Sequence, residues 1–408
     1  VQEFLVRRTE AYRNKCVASE FGLWLLGAGE CLISYSWTVG CRYACLKKKL
    51  LIVVGTRPEV LKMAPLIEAL RKGHHKFHFV HSGQHFEYTM CKRFLKELAL
   101  PNPEFLPIEV SSDNPAAQTA RIMIAMENSL RRVKPELVLV EGDTNTVLGA
   151  ALASLKQRVD VGHVEAGLRS HDWRMPEEHN RRMVDHVSKL LFAPTVTSRK
   201  TLLCERVLGR TWVTGNTIID TVTKMMPIAE KKSNILHKVD CEEFALATTH
   251  RAENVDDREI LSNIVMALVE CTLPVVIPIH PRTKNRLHAF GLNRKIARSK
   301  NIILLPPLGY LDFLRLMKKS KVIITDSGGL QEEATAPSIR KPVVVIREST
   351  DRPEAVQAGF AIVVGTRKER ILKGVKSMIF RKRLPSNSPY GNGRAGERIT
   401  GILTRELE

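Results

Sequence analysis

The chain has 408 residues, of which 44% are hydrophobic and 26% charged, and this composition excludes fibrous and broadly disordered proteins. A soluble chain of this length predicts two domains, each with its own core. The formal net charge of +20 indicates an anionic partner: nucleic acid, an acidic membrane surface or a phosphorylated metabolite. Lysine and arginine are spread over the whole length and aromatic residues make up only 6%, so we expect a metabolite and no nucleic acid.

The eight cysteines include no C-x-x-C pair, which favours reduced thiols and a cytoplasmic protein over a disulfide framework. The histidines show no H-x-x-x-H or H-E-x-x-H spacing on an expected helix, and no G-x-G-x-x-G follows an expected strand. We therefore predict neither a metal nor a nicotinamide cofactor.

Residues 1–46 differ from the rest of the chain. Residues 21–37 are apolar enough to suggest a membrane anchor, but Glu30 interrupts them. A spanning helix needs about 20 apolar residues with few charges. We therefore predict an atypical N-terminal extension without membrane attachment, and keep the anchor as the alternative.

From residue 50 onward, short apolar runs end in polar residues, as in parallel strands that are buried on both faces. The strand at 50–54 leads to a turn and a helix at 59–72, and Arg57 beside that helix start would attract an anion. An ordinary turn with a solvated arginine is the alternative. Residues 77–85 repeat the pattern as a second strand with a polar carboxyl end, where we expect Gln84 and His85 to open into the same cleft.

The next two strands carry the candidate acids. Residues 136–147 contain a third strand that delivers Asp143 at a turn, and Asp143 is either a site residue or the N-cap of the next helix. The strand at 159–164 is followed by Glu165, and residues 165–182 also contain Glu177 and several arginines and histidines. Because ligands of open α/β sheets collect at the carboxyl ends of strands, we expect the chemistry here.

The same pattern starts again after a helix at 218–230 and a charged segment at 231–240. Strands of this half end at His250 and Arg251, and at His280. Ser327-Gly328-Gly329 lies between a strand and a helix, where backbone N–H groups can approach a phosphate; a plain turn is the alternative. Two such halves predict an α/β protein with two Rossmann-like domains facing each other across a central cleft, the GT-B architecture.

Eight short motifs follow one another along the chain: Gly55-Thr-Arg-Pro-Glu59, Glu141-Gly-Asp-Thr-Asn-Thr146, His163-Val-Glu-Ala-Gly-Leu-Arg169, Pro176-Glu-Glu178, Gly215-Asn216, Thr249-His-Arg251, Asp326-Ser-Gly-Gly-Leu-Gln-Glu-Glu333 and Arg352-Pro-Glu354. In this order they resemble the non-hydrolysing UDP-N-acetylglucosamine 2-epimerases, from about residue 48 to the C-terminus. Residues 86–90 and Ala252 depart from the commoner bacterial pattern, in loops that relatives use for regulation and phosphate contacts.

The resemblance implies a reversible C2 epimerisation of UDP-N-acetylglucosamine to UDP-N-acetylmannosamine, by elimination of UDP to 2-acetamidoglucal and re-addition. It implies a cofactor-free homodimer that supplies a precursor for surface polysaccharide. The implied domains are 47–218, joined by a C-terminal helical segment at 385–408, and the UDP-binding domain at 219–384.

The resemblance also implies the site residues. Its catalytic residues would be Asp143, Glu165, Glu177 and His250, with the sugar face served by each carboxylate left open. Its substrate-binding residues would be Arg57, Lys62, Gln84, His85, Arg251, His280, Ser327, Gly328, Gly329, Glu333 and Arg352, with Glu333 at the ribose hydroxyls.

Three other functions stay open. A hydrolysing relative would release free N-acetylmannosamine, and a GT-B glycosyltransferase would glycosylate an acceptor from the same donor. A non-catalytic sensor would bind the UDP-sugar without exchanging the hydrogen at C2.

Overall fold

The structure is a computed structural model that describes residues 48–84, 94–108, 114–381 and 383–408. The extension expected at 1–46 lies outside the described residues. Two sheets form the frame, one built from strands within residues 50–213 and one from strands within residues 245–363. All pairings within both sheets are parallel. The predicted α/β class with two Rossmann-like lobes of the GT-B type is confirmed.

The strands are short and apolar because helices cover the sheets on both faces. The strands are β1 Leu50–Val54, β2 Phe77–His81, β3 Glu104–Phe105, β4 Leu137–Glu141, β5 Asp160–Val164, β6 Leu190–Ala193, β7 Arg210–Val213, β8 Ala245–Thr248, β9 Val275–Pro278, β10 Ile302–Leu305, β11 Val322–Thr325, β12 Val343–Val345 and β13 Ala361–Val363. The strand order is β3-β2-β1-β4-β5-β6-β7 in the first sheet and β10-β9-β8-β11-β12-β13 in the second. In β1, β4 and β12 every residue is buried.

Helices alternate with these strands in both lobes. They are α1 Arg57–Lys72, α2 Pro115–Val133, α3 Asn145–Lys156, α4 Pro176–Val187, α5 Val196–Cys204, α6 Thr217–Lys232, α7 Ala252–Val255, α8 Arg258–Val269, α9 Pro281–Ala289, α10 Asn293–Arg298, α11 Tyr310–Lys319, α12 Gly328–Glu333, α13 Pro353–Gln357, α14 Lys368–Ile379 and α15 Ala395–Leu407. Within the described part of the chain, none of them combines the length and the apolar composition of a membrane span.

The start of α3 settles one alternative. Its N-cap is Thr144, whose hydroxyl accepts a hydrogen bond from the backbone N–H of Val147. The alternative in which Asp143 caps this helix is therefore wrong, and the carboxylate of Asp143 is available for other contacts.

The last helix, α15, packs against α1 of the first lobe. The approach is close, since a Cβ added at Gly396 would lie 2.7 Å from the carbonyl carbon of Pro65. Asp220 of α6 accepts hydrogen bonds from the backbone N–H groups of Ala395 and Gly396, at 3.1 and 2.9 Å. These contacts fasten α15 to both α1 and α6.

Candidate functional site

Ion pairs join residues near the carboxyl ends of strands in the two sheets. In each sheet the strand order reverses between neighbours, at β1 and β4 in the first and at β8 and β11 in the second. Open α/β sheets bind their ligands outside such switch points. Residues that follow β1 and β5 in the first sheet and β11 and β12 in the second form the contacts between the two lobes.

Glu165 is the centre of these contacts. It follows β5 directly with φ of 69°, a left-handed conformation that is uncommon for a residue other than glycine. Its carboxylate pairs with Lys62 and accepts hydrogen bonds from Asn216 Nδ2 at 2.8 Å and Arg352 Nη2 at 3.1 Å. Burial alone would raise the pKa of Glu165, but Lys62 and Arg352 outweigh it and hold the pKa below its usual value. Glu165 is therefore an ionised carboxylate.

Asp143 lies on the same network, connected through Arg181. Arg181 Nε donates to Asp143 Oδ2 at 2.7 Å, and Arg181 Nη2 donates to Asp351 Oδ2 at 2.7 Å. Asp351 belongs to the second lobe and pairs with Arg352 at 3.0 Å. The side chain of Asp143 remains 23% exposed, so it can still meet a substrate.

The sequence does not distinguish Arg181 from the other arginines in residues 165–182. A usable signal was its position on α4, one helical turn after Glu177.

Glu177 lies in the first turn of α4 and is half-buried. The buried carboxylate next to it, Glu178, accepts hydrogen bonds from Ser170 N at 2.8 Å and Arg181 Nη1 at 3.3 Å. Glu178 thus orders this segment, while the catalytic role of Glu177 stays a prediction.

On the second lobe, Asp326 orders the loop that carries His250 and Arg251. It accepts backbone hydrogen bonds from these two residues at 2.9 and 3.0 Å, and its other oxygen lies 3.3 Å from His250 Nδ1. Burial by itself would raise the pKa of Asp326, but His250 and the backbone donors hold it far below its usual range. The imidazole of His280 lies 5.3 Å from that of His250, so these predicted site residues lie together.

Ser327 is the N-cap of α12, and Gly328 and Gly329 form its first turn. A Cβ at Gly328 would lie 3.2 Å from Asp351 Oδ1, whereas a Cβ at Gly329 would meet only Ser327 Oγ at 3.9 Å. The space beside Gly329 lets a ligand approach the backbone. At the end of α12, Glu333 accepts a hydrogen bond from the hydroxyl of Tyr310 at 3.3 Å, and burial raises its pKa to about 7.

The remaining predicted binding residues belong to the first lobe. Arg57 Nη1 donates to the carbonyl of Leu308 in the second lobe at 3.4 Å, and its guanidinium lies 5.0 Å from the ring centre of Phe94. Gln84 Oε1 accepts hydrogen bonds from the N–H and hydroxyl of Thr146, at 2.9 and 2.7 Å, so this oxygen is used inside the first lobe. His85 lies outside the described residues.

The structure therefore brings Lys62, Glu165 and Arg352 into direct contact, and connects Asp143 to them through Arg181. The sequence does not indicate several of the buried residues that pair with the predicted site residues, because the segments that meet are far apart in the chain. These residues are Arg181, Tyr310, Glu332 and Asp351. Among residues 48–84, 94–108, 114–381 and 383–408, no three histidine, cysteine, aspartate or glutamate side chains are grouped to hold a metal ion.

The fold and this site define a GT-B-type enzyme in which buried carboxylates of one lobe face arginines of the other. A sequence model of the UDP-N-acetylglucosamine 2-epimerase family matches residues 68–404. The chain belongs to this family.

Individual relatives agree with that assignment. The UDP-N-acetylglucosamine 2-epimerase of Methanocaldococcus jannaschii is 45% identical over 365 residues, which are 87% of this chain and 99% of the relative. The crystal structure of the M. jannaschii enzyme in complex with UDP-GlcNAc and UDP matches with a TM-score of 0.81 at 44% identity, covering 88% of this chain and 99% of that one. The Neisseria meningitidis enzyme bound to UDP-GlcNAc matches with a TM-score of 0.79 at 34% identity, covering 88% and 100%.

Proposed function

We propose that this protein interconverts UDP-N-acetylglucosamine and UDP-N-acetylmannosamine. The observation that carries the proposal is the network between the lobes, in which Asp143 and Glu165 lie on one set of ion pairs with Arg181, Arg352 and Lys62. A fold of this kind binds a nucleotide at the strand ends, and paired acids beside it suit proton transfer on a sugar.

The chemistry requires more than one acid or base. The hydrogen at C2 of the sugar is not acidic, because no carbonyl group adjoins C2. We therefore propose elimination: a base takes the C2 proton, the C1–C2 double bond forms, and UDP leaves C1 with the electron pair of the C1–O bond. Protonation of 2-acetamidoglucal at C2 from the opposite face, with return of UDP to C1, gives the epimer.

Ionised Glu165 suits the part of a proton acceptor, and Asp143 and Glu177 complete the acid/base set. Which sugar face each one serves is left open. Negative charge develops on UDP as it leaves, and cationic side chains and aligned N–H groups stabilise such charge. His250, Arg251, Arg57 and the backbone at Ser327 to Gly329 would supply them, and Glu333 would bind the ribose.

A single experiment separates this function from its competitors. The protein is incubated with UDP-N-acetylglucosamine in deuterated buffer, and the mixture is followed by NMR. We expect UDP-N-acetylmannosamine in equilibrium with the substrate, both carrying deuterium at C2. Free N-acetylmannosamine would indicate a hydrolase, a glycosylated acceptor would indicate a transferase, and binding without exchange would indicate a sensor.

The same proposal places the protein in the cytoplasm as a homodimer that supplies a precursor for surface polysaccharide. Exposed apolar side chains on the helices of the first lobe support an interface there: Ile124 of α2 is 65% exposed and Met183 of α4 is 43% exposed. Sedimentation equilibrium should give twice the chain mass of 46.0 kDa, and Ile124→Glu should reduce it. A wild-type mass of one chain would contradict the dimer.

A further inference from the structure

Glu141 is a buried carboxyl group that the proposed mechanism does not use. It is the last residue of β4, is 1% exposed, and precedes Asp143 by two positions. Its Oε1 lies 3.2 Å from the ammonium of Lys62. It therefore touches the cation that also pairs with Glu165.

The charges around Lys62 do not balance if every group is ionised. Lys62 and Arg352 are the two cations in contact with Glu165 and Glu332, and Lys62 alone contacts Glu141. Three buried carboxyl groups thus share two cations. A buried carboxylate without a full counter-charge is costly, and such a group binds a proton instead.

A fourth carboxylate nearby does not change this count. Asp351 contacts Arg352, but it also pairs with Arg181 at 2.7 Å and with Arg347 at 3.3 Å. Arg352 and, after it, Arg181, Arg251 and Arg347 hold the pKa of Asp351 well below its usual value against the effect of burial. Asp351 is therefore ionised and compensated from the other side of the network.

Burial raises the pKa of Glu332 to about 7, but the contacts with the two cations favour Glu141 as the group that keeps the proton. Glu165 has three donors around it, and Glu332 faces both cations, at 3.7 Å from Lys62 Nζ and in contact with Arg352 Nε. Among the described residues, Glu141 has an ion contact with Lys62 alone.

Two further carboxyl groups face Glu141, Glu165 after β5 and Glu59 on α1. Burial, together with these two groups, raises the pKa of Glu141 well above its usual value despite Lys62. Glu59 is itself held by hydrogen bonds from Gly55 N at 2.6 Å and Thr56 Oγ1 at 2.9 Å, and as an acidic group it supplies no positive charge to Glu141.

We propose that Glu141 is a positioning residue that carries a proton in the working enzyme, and that its neutral form leaves the Lys62 ammonium to Glu165. The inference rests on the proposed function, since Glu165 is the carboxylate that it serves. At alkaline pH Glu141 ionises and draws Lys62 away from Glu165, so Glu165 loses the contact that holds its carboxylate in position. Activity should therefore decline on the alkaline side.

The first test replaces the neutral acid by its neutral isostere, Glu141→Gln. Deuterium exchange at C2 near neutral pH should stay within about threefold of the wild type, and the alkaline decline should shift or disappear. Glu136→Gln is the matched control, because Glu136 is an exposed glutamate just before β4. A hundredfold loss at neutral pH, an unchanged pH profile or a variant that does not fold would each overturn the proposal.

The second test does not depend on epimerase activity. Infrared spectra of the substrate-free protein at neutral pH should show the carbonyl band of a protonated carboxyl group, and part of it should be missing in Glu141→Gln but not in Glu136→Gln. An unchanged band would overturn the proposal even in an active enzyme. A lost band in a protein without C2 exchange would instead count against the proposed function alone.

Discussion

Asp143 and Asp326 occupy similar places in the two lobes but have different surroundings. Asp143 follows β4, keeps a partly exposed carboxylate and pairs with one cation, Arg181. Asp326 follows β11 and is fully buried. One of its oxygens accepts hydrogen bonds from Thr249 Oγ1, His250 N, Arg251 N and Asn254 Nδ2.

The difference shows how the same residue type serves two purposes. A carboxylate that accepts four hydrogen bonds on one oxygen holds a loop in place. A carboxylate with one partner and an open side can take or give a proton. The first lobe thus contributes reactive acids, and the second contributes a rigid frame for cations. Four substitutions test this comparison.

The largest effect is expected for Asp143→Asn. The amide cannot act as an acid or base, so C2 deuterium exchange should fall by about 10³-fold, while UDP binding stays within about tenfold. The control is Asp160→Asn, since Asp160 at the start of β5 pairs with the exposed Lys189 at 2.5 Å. Unchanged exchange in Asp143→Asn would remove this residue from the mechanism.

Asp326→Asn should act mainly on stability. In the wild type several donors share the carboxylate of Asp326, and in the variant an amide N–H group can face them instead. The free energy of unfolding in urea should therefore fall by about 2–4 kcal/mol. UDP binding should also weaken, because His250 and Arg251 lose their anchor. The comparison would fail if Asp143→Asn proved the more destabilising of the two.

Glu59 adds a pH test with a defined sign. Burial raises its pKa to about 7, although hydrogen bonds from Thr56 and Gly55 act against this. The folded protein therefore keeps a proton that the unfolded chain loses, and the free energy of unfolding should decline as the pH rises from about 4.5 to 7. Glu59→Gln should lack this decline and gain about 2–3 kcal/mol relative to the wild type at pH 8.

The control for that measurement is Glu68→Gln on the same helix, where Glu68 makes surface pairs with Lys72 and Lys224. Its effect should stay below about 1 kcal/mol at either pH. Parallel stability curves for Glu59→Gln and the wild type would show that Glu59 ionises normally.

The smallest effect is expected for Asp220→Ala. Asp220 has two backbone donors at the start of α15, so its loss should cost about 1 kcal/mol, as for other helix caps. Amide hydrogen exchange should rise in α15, and C2 exchange by the enzyme should change little. Equal protection of α15 in the variant and the wild type would exclude the capping role.

Much of the fold could be predicted from the sequence, since strand runs and helix caps are local patterns. The predicted strand at 159–164 is β5 at Asp160–Val164, and the predicted helix at 218–230 is α6 at Thr217–Lys232. Parallel strands also carry their polar residues at the same end of the sheet, so the sequence predicts that the site lies at the carboxyl ends of the strands. The sequence could not decide whether Asp143 is a site residue or the N-cap of α3, because the neighbouring Thr144 is an equally good cap.

The sequence by itself determined the fold class, the positions along the chain at which strands end in polar residues, and the residue types available for acid and base chemistry. Only the tertiary structure decided which carboxylates are neutralised. Arg181 meets Asp351 and Arg352 meets Glu165 across 170 and 187 residues of chain. The pKa of a buried acid depends on the distance to such partners and on exclusion of water, and neither quantity is written in a local pattern.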